Sequence, residues 1–192
     1  GIVANEGFRR CVKYTNAWLD YADPQTGLIP QNLSEDGGIW NAHNAGADNY
    51  PFMVLTTYLL DKSLYHSVML DMLHTEEKLT SRLGALPDAY SFAQQDFLRA
   101  HVDTSRIIFG TSEYIKDGLI PLTEYCGVTP WSKRMIEMLN DMSRYVRVFK
   151  SQQENSGDIA LETEINGELL QSLSRVYWMT GQDKYLHWAM EI

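Results

Sequence analysis

The feature that most constrains this chain is a set of helical runs joined in pairs by short connections. Helical periodicity predicts one run over residues 48–60 and another over 63–81, with only Asp61 and Lys62 between them. A connection this short forces the two helices to lie antiparallel, as an αα-hairpin. The sequence therefore favours a fold assembled from helical hairpins.

Two further hairpins are predicted, one from helices over 103–116 and 130–149 and one from helices over 164–180 and 183–192. The three hairpins begin about 55 and 61 residues apart, which indicates a loose internal period of αα-units and no strict sequence repeat. A single amphipathic helix over 6–21 precedes them.

Local signals support these boundaries. Asp103 is a suitable N-cap, Thr129 precedes Pro130 in the pattern of a capped helix start, and Gly181 is a suitable C-cap. Residues 28–46 are rich in Asn, Gly and Pro, and this predicts a long loop of the kind that often carries function. Residues 83–98 lose the helical period, which favours a loop or a short β-excursion.

Composition excludes several classes of partner. The 192 residues contain 16 Lys and Arg against 25 Asp and Glu, so the net charge is −9. An acidic chain without a basic run is a poor match for nucleic-acid phosphates or an anionic membrane surface, and neither partner is expected. The longest apolar stretch, residues 50–60, is too short and too polar to cross a bilayer. With 44% hydrophobic residues the chain can bury a large core as one helical domain.

The end of the sequence lies inside an apolar helical pattern with no stop signal, so we expect residues 1–192 to be cut from a longer parent chain. No signal peptide is visible at the start. Cys11 and Cys126 lie far apart in the sequence without a Cys or His cluster, which predicts core packing for both and no zinc site. His66, His74 and His187 lack a second ligand type at metal spacing, and no metal is predicted.

Three phrases carry a resemblance to a known superfamily: DPQTGLIP, WNAHNAGADNYPFMVLTTYLLD and GELLQSLSRVYWMTGQDKYLHWAMEI. They resemble the (α/α)6 toroid or six-hairpin glycosidases, above all the β-glucuronidase-like and unsaturated uronyl hydrolase-like members. The resemblance implies an all-α fold in which αα-hairpins form about half of a toroid, with the rest of the parent chain as a partner. It also implies an oligosaccharide substrate, no cofactor, and a periplasmic or secreted location.

The densest group of candidate site residues lies between residues 40 and 50. Sugar sites combine aromatic faces that pack on a pyranose ring with amide, carboxylate and imidazole groups that bind hydroxyls. This stretch offers Trp40, Asn41, His43, Asn44, Asp48, Asn49 and Tyr50. We expect Asp48 to be catalytic and the other six to bind substrate. The alternative is that Asp48 caps a helix and that Asn41 and Asn44 are turn residues.

A second group of carboxylates lies at 162–168, where Glu164 and Glu168 are four residues apart and share a helix face. Because a glycosidase needs an acid and a second carboxylate, Glu164 is the expected partner of Asp48. The alternative is that these residues only stabilise the start of a helix through its dipole.

Arg106 lies in a predicted first helical turn, where the helix dipole disfavours a cation. Bidentate binding of a uronate carboxylate would explain its presence, because the guanidinium matches a carboxylate in shape. A structural ion pair with Asp103, three residues earlier, is an equal alternative.

Three functions remain open. The first is a glycoside hydrolase acting on uronic-acid-containing oligosaccharides. The second is a toroidal polysaccharide lyase, in which Tyr50 or His43 takes part in proton abstraction while Asn44 or Arg106 neutralises the carboxylate. The third is a non-catalytic carbohydrate-binding or scaffold domain. Nucleotide-binding, serine-hydrolase and zincin motifs are absent from the sequence.

Overall fold

A computed structural model of the chain describes residues 1–34, 38–153 and 159–192, with side chains described for 1–34, 38–145 and 163–192. The described chain is mostly helical, as the hairpin pattern predicts. The α-helices are α1 (Ile2–Leu19), α2 (Tyr50–Leu60), α3 (Lys62–Leu64), α4 (Leu70–Thr80), α5 (Thr104–Glu113), α6 (Ile120–Cys126), α7 (Pro130–Gln153), α8 (Ile159–Thr180) and α9 (Asp183–Glu191).

Three π-helical segments extend these helices. They are π1 (Ala42–Asn49), which leads into α2, π2 (Tyr65–Met69), which joins α3 to α4, and π3 (Tyr114–Leu119), which joins α5 to α6. In π1 the amide N–H of Gly46 donates to the carbonyl of Asn41, five residues earlier, at 3.0 Å. Such segments are rare and occur often at functional sites.

Short antiparallel strands fill the gaps between the helices. Strands β1 (Ile39–Trp40), β4 (Tyr90–Ser91) and β5 (Asp96–Phe97) form one sheet in the order β1-β4-β5, and β2 (Ser81–Leu83) pairs with β3 (Leu86–Pro87). In the larger sheet Trp40 lies opposite Tyr90. The β-excursion predicted for residues 83–98 is therefore confirmed. Through the pairing of β1 with β4, the sheet connects the loop before π1 to residues 90–97.

The segments π1 and π3 cross at very short range through two glycines. A Cβ atom added to Gly118 would lie 2.8 Å from the ring of Pro51 and 3.1 Å from the carbonyl oxygen of Gly46. A Cβ atom on Gly46 would lie 3.2 Å from the ring of Tyr114. Because only glycine permits so close an approach, the crossing fixes π1 against π3 and so against α5.

The core lies between these helices and includes polar groups that are fully paired. The hydroxyl of Tyr50 donates to the carbonyl of Met69 at 2.7 Å and accepts from the indole N–H of Trp131 at 2.8 Å. Arg134 on α7 and Glu76 on α4 form a bidentate ion pair, with N–O distances of 2.7 and 3.1 Å. Both of these charged side chains are about 98% buried or more.

Three predicted helix ends are confirmed. The carboxylate of Asp103 accepts from the N–H of Arg106 at 3.1 Å, and the hydroxyl of Thr129 accepts from the N–H of Ser132 at 3.3 Å. Gly181 has a φ of +64°, which suits a helix C-cap. The structure also describes no helix, within the ranges given above, that is long and apolar enough to span a bilayer.

Two boundary predictions are wrong. The helix expected to end at Lys116 continues through π3 to Cys126, because Pro121 lies in the first turn of α6, where a missing N–H is tolerated. Asp48 is not a helix cap, because the helix already begins at Ala42. The cap of this helix is Asn41, whose side-chain oxygen accepts from the N–H of Asn44 at 2.8 Å.

Candidate functional site

A pocket of about 950 Å³ opens where the start of π1 meets the first turns of α5. The turn after β3 and the residues that follow β5 complete its wall. We call it the π1–α5 pocket. The residues of its wall that matter below are Gln31, Asn41, His43, Asp88, Arg99, Asp103, Arg106 and Phe109. Three of the predicted site residues, Asn41, His43 and Arg106, therefore meet here.

Asn41 is buried and uses its side chain for local structure. Its amide oxygen caps π1, and its amide N–H donates to the side-chain oxygen of Gln31. Asn41 therefore has a local structural role, as the cap of π1 and not as the turn residue considered from the sequence. The hydrogen bond to Gln31 fixes that side chain on the pocket wall, so Asn41 contributes to the shape of the pocket.

His43 is half-buried on the pocket wall, with its ring centroid 6.1 Å from that of Phe109. Burial lowers the pKa of His43, and the positive charge of Arg106 acts in the same direction. The negative charges of Glu113 and Asp48 oppose this shift. The imidazole is therefore neutral near pH 7. It makes no side-chain hydrogen bond within the described part of the chain.

Arg106, on the first turn of α5, also lines the pocket and is exposed. Its Nε atom lies 3.6 Å from a carboxylate oxygen of Asp103, so the structural ion pair considered from the sequence is present. The side chain remains 63% exposed, and its long contact with Asp103 leaves donors free for another anion.

Asp48 and Asn49 line a different, shallow pocket of about 420 Å³ together with Tyr14, Phe52 and Asp117. The hydroxyl of Tyr14 donates to the side chain of Asn49. The pKa of Asp48 is raised, first by partial burial and then by the negative charges of Asp117 and Glu113. A carboxyl in these surroundings holds its proton more readily than an ordinary aspartate does.

The remaining predicted residues lie outside the π1–α5 pocket. Trp40 and Tyr50 are each 2% exposed and belong to the core, where Trp40 packs edge-on against Tyr114 at 6.3 Å between centroids. Burial leaves neither ring a free face on which a sugar could stack, contrary to the binding role expected for both. Asn44 is partly exposed beside the pocket, and Glu164 is exposed on α8.

A pair of carboxyl groups joins α5 to α8, and of the two the sequence indicated Glu168 but not Glu113. Glu168 is buried and accepts a hydrogen bond from the hydroxyl of Ser112. Lys116 lies between the two acids, with its Nζ atom 3.0 Å from Glu113 and 3.3 Å from Glu168. Lys116 also lies 3.2 Å from Asp117, which connects this cluster to the carboxyl of Asp48.

The pKa values of the two carboxyls in this pair are shifted in opposite directions. Burial raises the pKa of Glu168 to about 8, and its contact with Glu113 adds to the shift. A hydrogen bond from Glu168, followed by one from Lys116, lowers the pKa of Glu113. At neutral pH Glu168 therefore keeps its proton and donates a hydrogen bond to an ionised Glu113.

A sequence signal for Glu168 did exist. Ile165, Leu169 and Ser172 are buried on α8, and Glu168 lies on the same stripe at three- and four-residue spacing. An acidic residue on an apolar stripe needs a partner, whereas Glu164 lies off the stripe. The pairing with Glu113 could not be found in this way, because 55 residues separate the two acids.

No family model, curated protein or solved structure matches this chain. Within residues 1–34, 38–153 and 159–192, no group of three or more His, Cys, Asp or Glu side chains is arranged to hold a metal ion.

Proposed function

We propose that this chain is a glycoside hydrolase domain that acts on uronic-acid-containing oligosaccharides, with the sugar bound in the π1–α5 pocket. In this proposal the helical hairpins form part of an (α/α)6 toroid. The pocket supports the proposal through its chemistry, since it combines an imidazole, a guanidinium and the aromatic ring of Phe109. These groups bind hydroxyls, carboxylates and ring faces respectively.

The observation that carries the proposal is a pair of carboxyls with opposite pKa shifts near His43. The pKa of Asp48 is raised, mainly by burial, and that of Glu113 is lowered, mainly by its hydrogen bond with Glu168. Both charges act on His43, which lines the pocket. A glycosidase needs one protonated and one ionised carboxyl, and environments that separate two pKa values identify such assignments.

The helix geometry supports the same grouping. Asp48 follows His43 by five residues, about one turn of π1, and lines the separate shallow pocket, so in this proposal the sugar extends from the π1–α5 pocket towards Asp48. We assign Asp48 as the general acid and Glu113 as the nucleophile or the base for water. Glu168 is a positioning residue, because its proton keeps Glu113 ionised. Glu113 replaces the exposed Glu164 as the partner of Asp48.

The second candidate is a toroidal polysaccharide lyase, and one observation favours it. His43 is neutral, lines the pocket and lies within electrostatic range of Arg106. A neutral imidazole can remove the proton next to a uronate carboxylate while a guanidinium neutralises that carboxylate. In this reaction His43 is the base, since the buried Tyr50 is fully occupied by hydrogen bonds.

One assay separates these candidates. Uronic-acid-containing oligosaccharides are incubated with the protein, and new reducing ends are measured together with the absorbance of unsaturated uronide. For a hydrolase we expect reducing ends without absorbance, and a loss of about 10²- to 10⁴-fold in kcat for Asp48→Asn and for Glu113→Gln. The matched control is Glu164→Gln, an exposed carboxyl that we expect to be dispensable.

The other outcomes are equally specific. Absorbance that appears with the reducing ends, and that is lost in His43→Gln but kept in Asp48→Asn, identifies a lyase. Binding of the oligosaccharide without any product identifies a non-catalytic carbohydrate-binding domain. Loss of activity in Glu164→Gln alone contradicts the assignment of Glu113.

A further inference from the structure

Arg99 is a cation without a partner on the wall of the π1–α5 pocket. Its side chain is half-buried, yet it forms no ion pair or hydrogen bond with any described residue. The chain carries nine more acidic than basic residues, so an unpaired guanidinium in a pocket is unusual here. A half-buried charge without a counter-ion has lost part of its hydration, and an incoming anion would restore that loss.

The backbone at Arg99 is held in place by a second arginine. Arg82 on β2 donates to the carbonyl of Arg99 and to that of Ala100, both at 2.7 Å. Its guanidinium also donates to Asp88 at 2.8 Å and lies 4.4 Å from the ring centroid of Phe97. The segment that carries Arg99 is therefore tied to β2 at several points, which reduces the entropy lost when Arg99 binds a ligand.

The other charged groups of the pocket already have partners. Asp88 is paired with Arg82, and its second oxygen accepts from the N–H of Ala89 at 2.7 Å. Asp103 caps α5 and faces Arg106. Arg106 is thus partly neutralised, whereas Arg99 is not. Among the described residues of the wall, Arg99 offers the free positive charge for a ligand.

We propose that Arg99 is the residue that selects an acidic sugar, by binding the carboxylate of a uronic acid unit through its guanidinium. The inference rests on the proposed function, since it assumes that an oligosaccharide occupies this pocket. The planar guanidinium matches a carboxylate with two parallel hydrogen bonds, a geometry that an ammonium cannot reproduce. Arg106, which sequence reasoning had favoured for this role, is then a weaker second contact.

The test measures binding by calorimetry with two probes, a trisaccharide of galacturonic acid and one of glucuronic acid, each compared with its uncharged methyl ester. We expect Arg99→Gln to weaken the binding of an acidic probe by about ten- to one-hundredfold and to leave that of its ester unchanged. Arg99→Lys should recover only part of the loss. Arg106→Gln is the matched control, and its expected loss is less than about fivefold.

Thermal melting of each variant establishes that the fold is intact, and the partnerless side chain of Arg99 predicts no change. Equal losses for acid and ester, or a larger loss in Arg106→Gln than in Arg99→Gln, overturn the role of Arg99 and leave the sugar pocket in place. If the unaltered protein binds neither the acids nor the esters, the proposed function itself fails and the inference fails with it.

Discussion

Two clusters of charged side chains join helices in this protein, and they differ in how their charges are matched. Between α4 and α7, Glu76 meets Arg134 as one acid and one base, both almost completely buried. Between α5 and α8, Glu113 and Glu168 face a single lysine, Lys116, and the side chain of Glu113 is 21% exposed. The first cluster is balanced and buried, and the second has more acids than bases, since Asp117 also lies 3.2 Å from Lys116.

The difference shows what each cluster can do. The effect of the balanced buried pair is on stability and on the register of α4 against α7. A cluster with an excess carboxyl must hold a proton to remain buried, which is why the pKa of Glu168 rises to about 8. The α5–α8 cluster is thus the one that responds to pH within the physiological range.

The largest expected effect is on the balanced pair. Glu76→Gln leaves the charge of Arg134 buried without its counter-ion, so the free energy of unfolding should fall by about 3 to 5 kcal/mol. Urea unfolding followed by circular dichroism measures this change. Glu77→Gln, at an exposed position on the same helix, is the control and should change stability by less than about 0.5 kcal/mol. Similar losses of unfolding free energy in Glu76→Gln and Glu77→Gln would show that the buried ion pair matters no more for stability than an exposed carboxylate.

An intermediate effect is expected at Glu168, and it depends on pH. Its folded pKa of about 8 lies above its ordinary value of 4.5, so between these values the folded protein holds the proton more tightly than the unfolded chain does. Stability should therefore fall as pH rises through this window and level off above it. The opposite shift of Glu113 acts below its ordinary pKa, outside the window.

The variant Glu168→Gln tests this dependence of stability on pH. The amide keeps a donor for Glu113 and an acceptor for Ser112 but does not titrate. We expect the pH-dependent decline between pH 5 and pH 8 to flatten, so that the variant is more stable than the unaltered protein at pH 8. Chemical denaturation at a series of pH values measures it. An unchanged slope would mean that Glu168 is ionised in the folded state.

The smallest effect is expected where a matched pair is exposed. Glu124 on α6 accepts from Arg175 on α8, with N–O distances of 2.5 and 2.8 Å, but the two side chains are 31% and 28% exposed. Glu124→Gln should cost about 0.2 to 1 kcal/mol, and less at high salt. A loss as large as that of Glu76→Gln would show that matching of charges, and not burial, determines the stability.

Much of the helical architecture could be predicted from local signals. The caps at Asp103, Thr129 and Gly181 fix helix ends through bonds within four residues, and such bonds are visible in the sequence. Two features were missed because tertiary contacts override local propensity. The Asn- and Gly-rich segment before residue 50 forms π1, where Gly46 is needed for close contact with π3. The helix predicted to end at residue 116 continues through π3 into α6, where Pro121 lies in the first turn.

The site was less predictable than the fold. The sequence indicated Asn41, His43 and Arg106, which do line one pocket, because all three lie at or near helix starts. It could not tell that Trp40 and Tyr50 point into the core, since an aromatic residue beside a polar cluster fits a wall and an interior equally well. The contact of Glu113 with Glu168 and the free charge of Arg99 depend on segments far apart in the chain, and neither has a local signature.

Because π1 is π-helical, the number of residues between His43 and Asp48 determines how these two side chains are oriented relative to each other. A π-helical turn contains an extra residue relative to an α-helical turn, so deletion of one residue between His43 and Asp48 would let this segment relax into an α-helix. Everything before the deletion would then rotate by about 100° relative to α2. His43 would turn away from Phe109 while Asp48 stayed in place. A deletion of one residue would therefore turn His43, which is proposed to bind sugar, away from Asp48, the proposed acid, without altering either side chain.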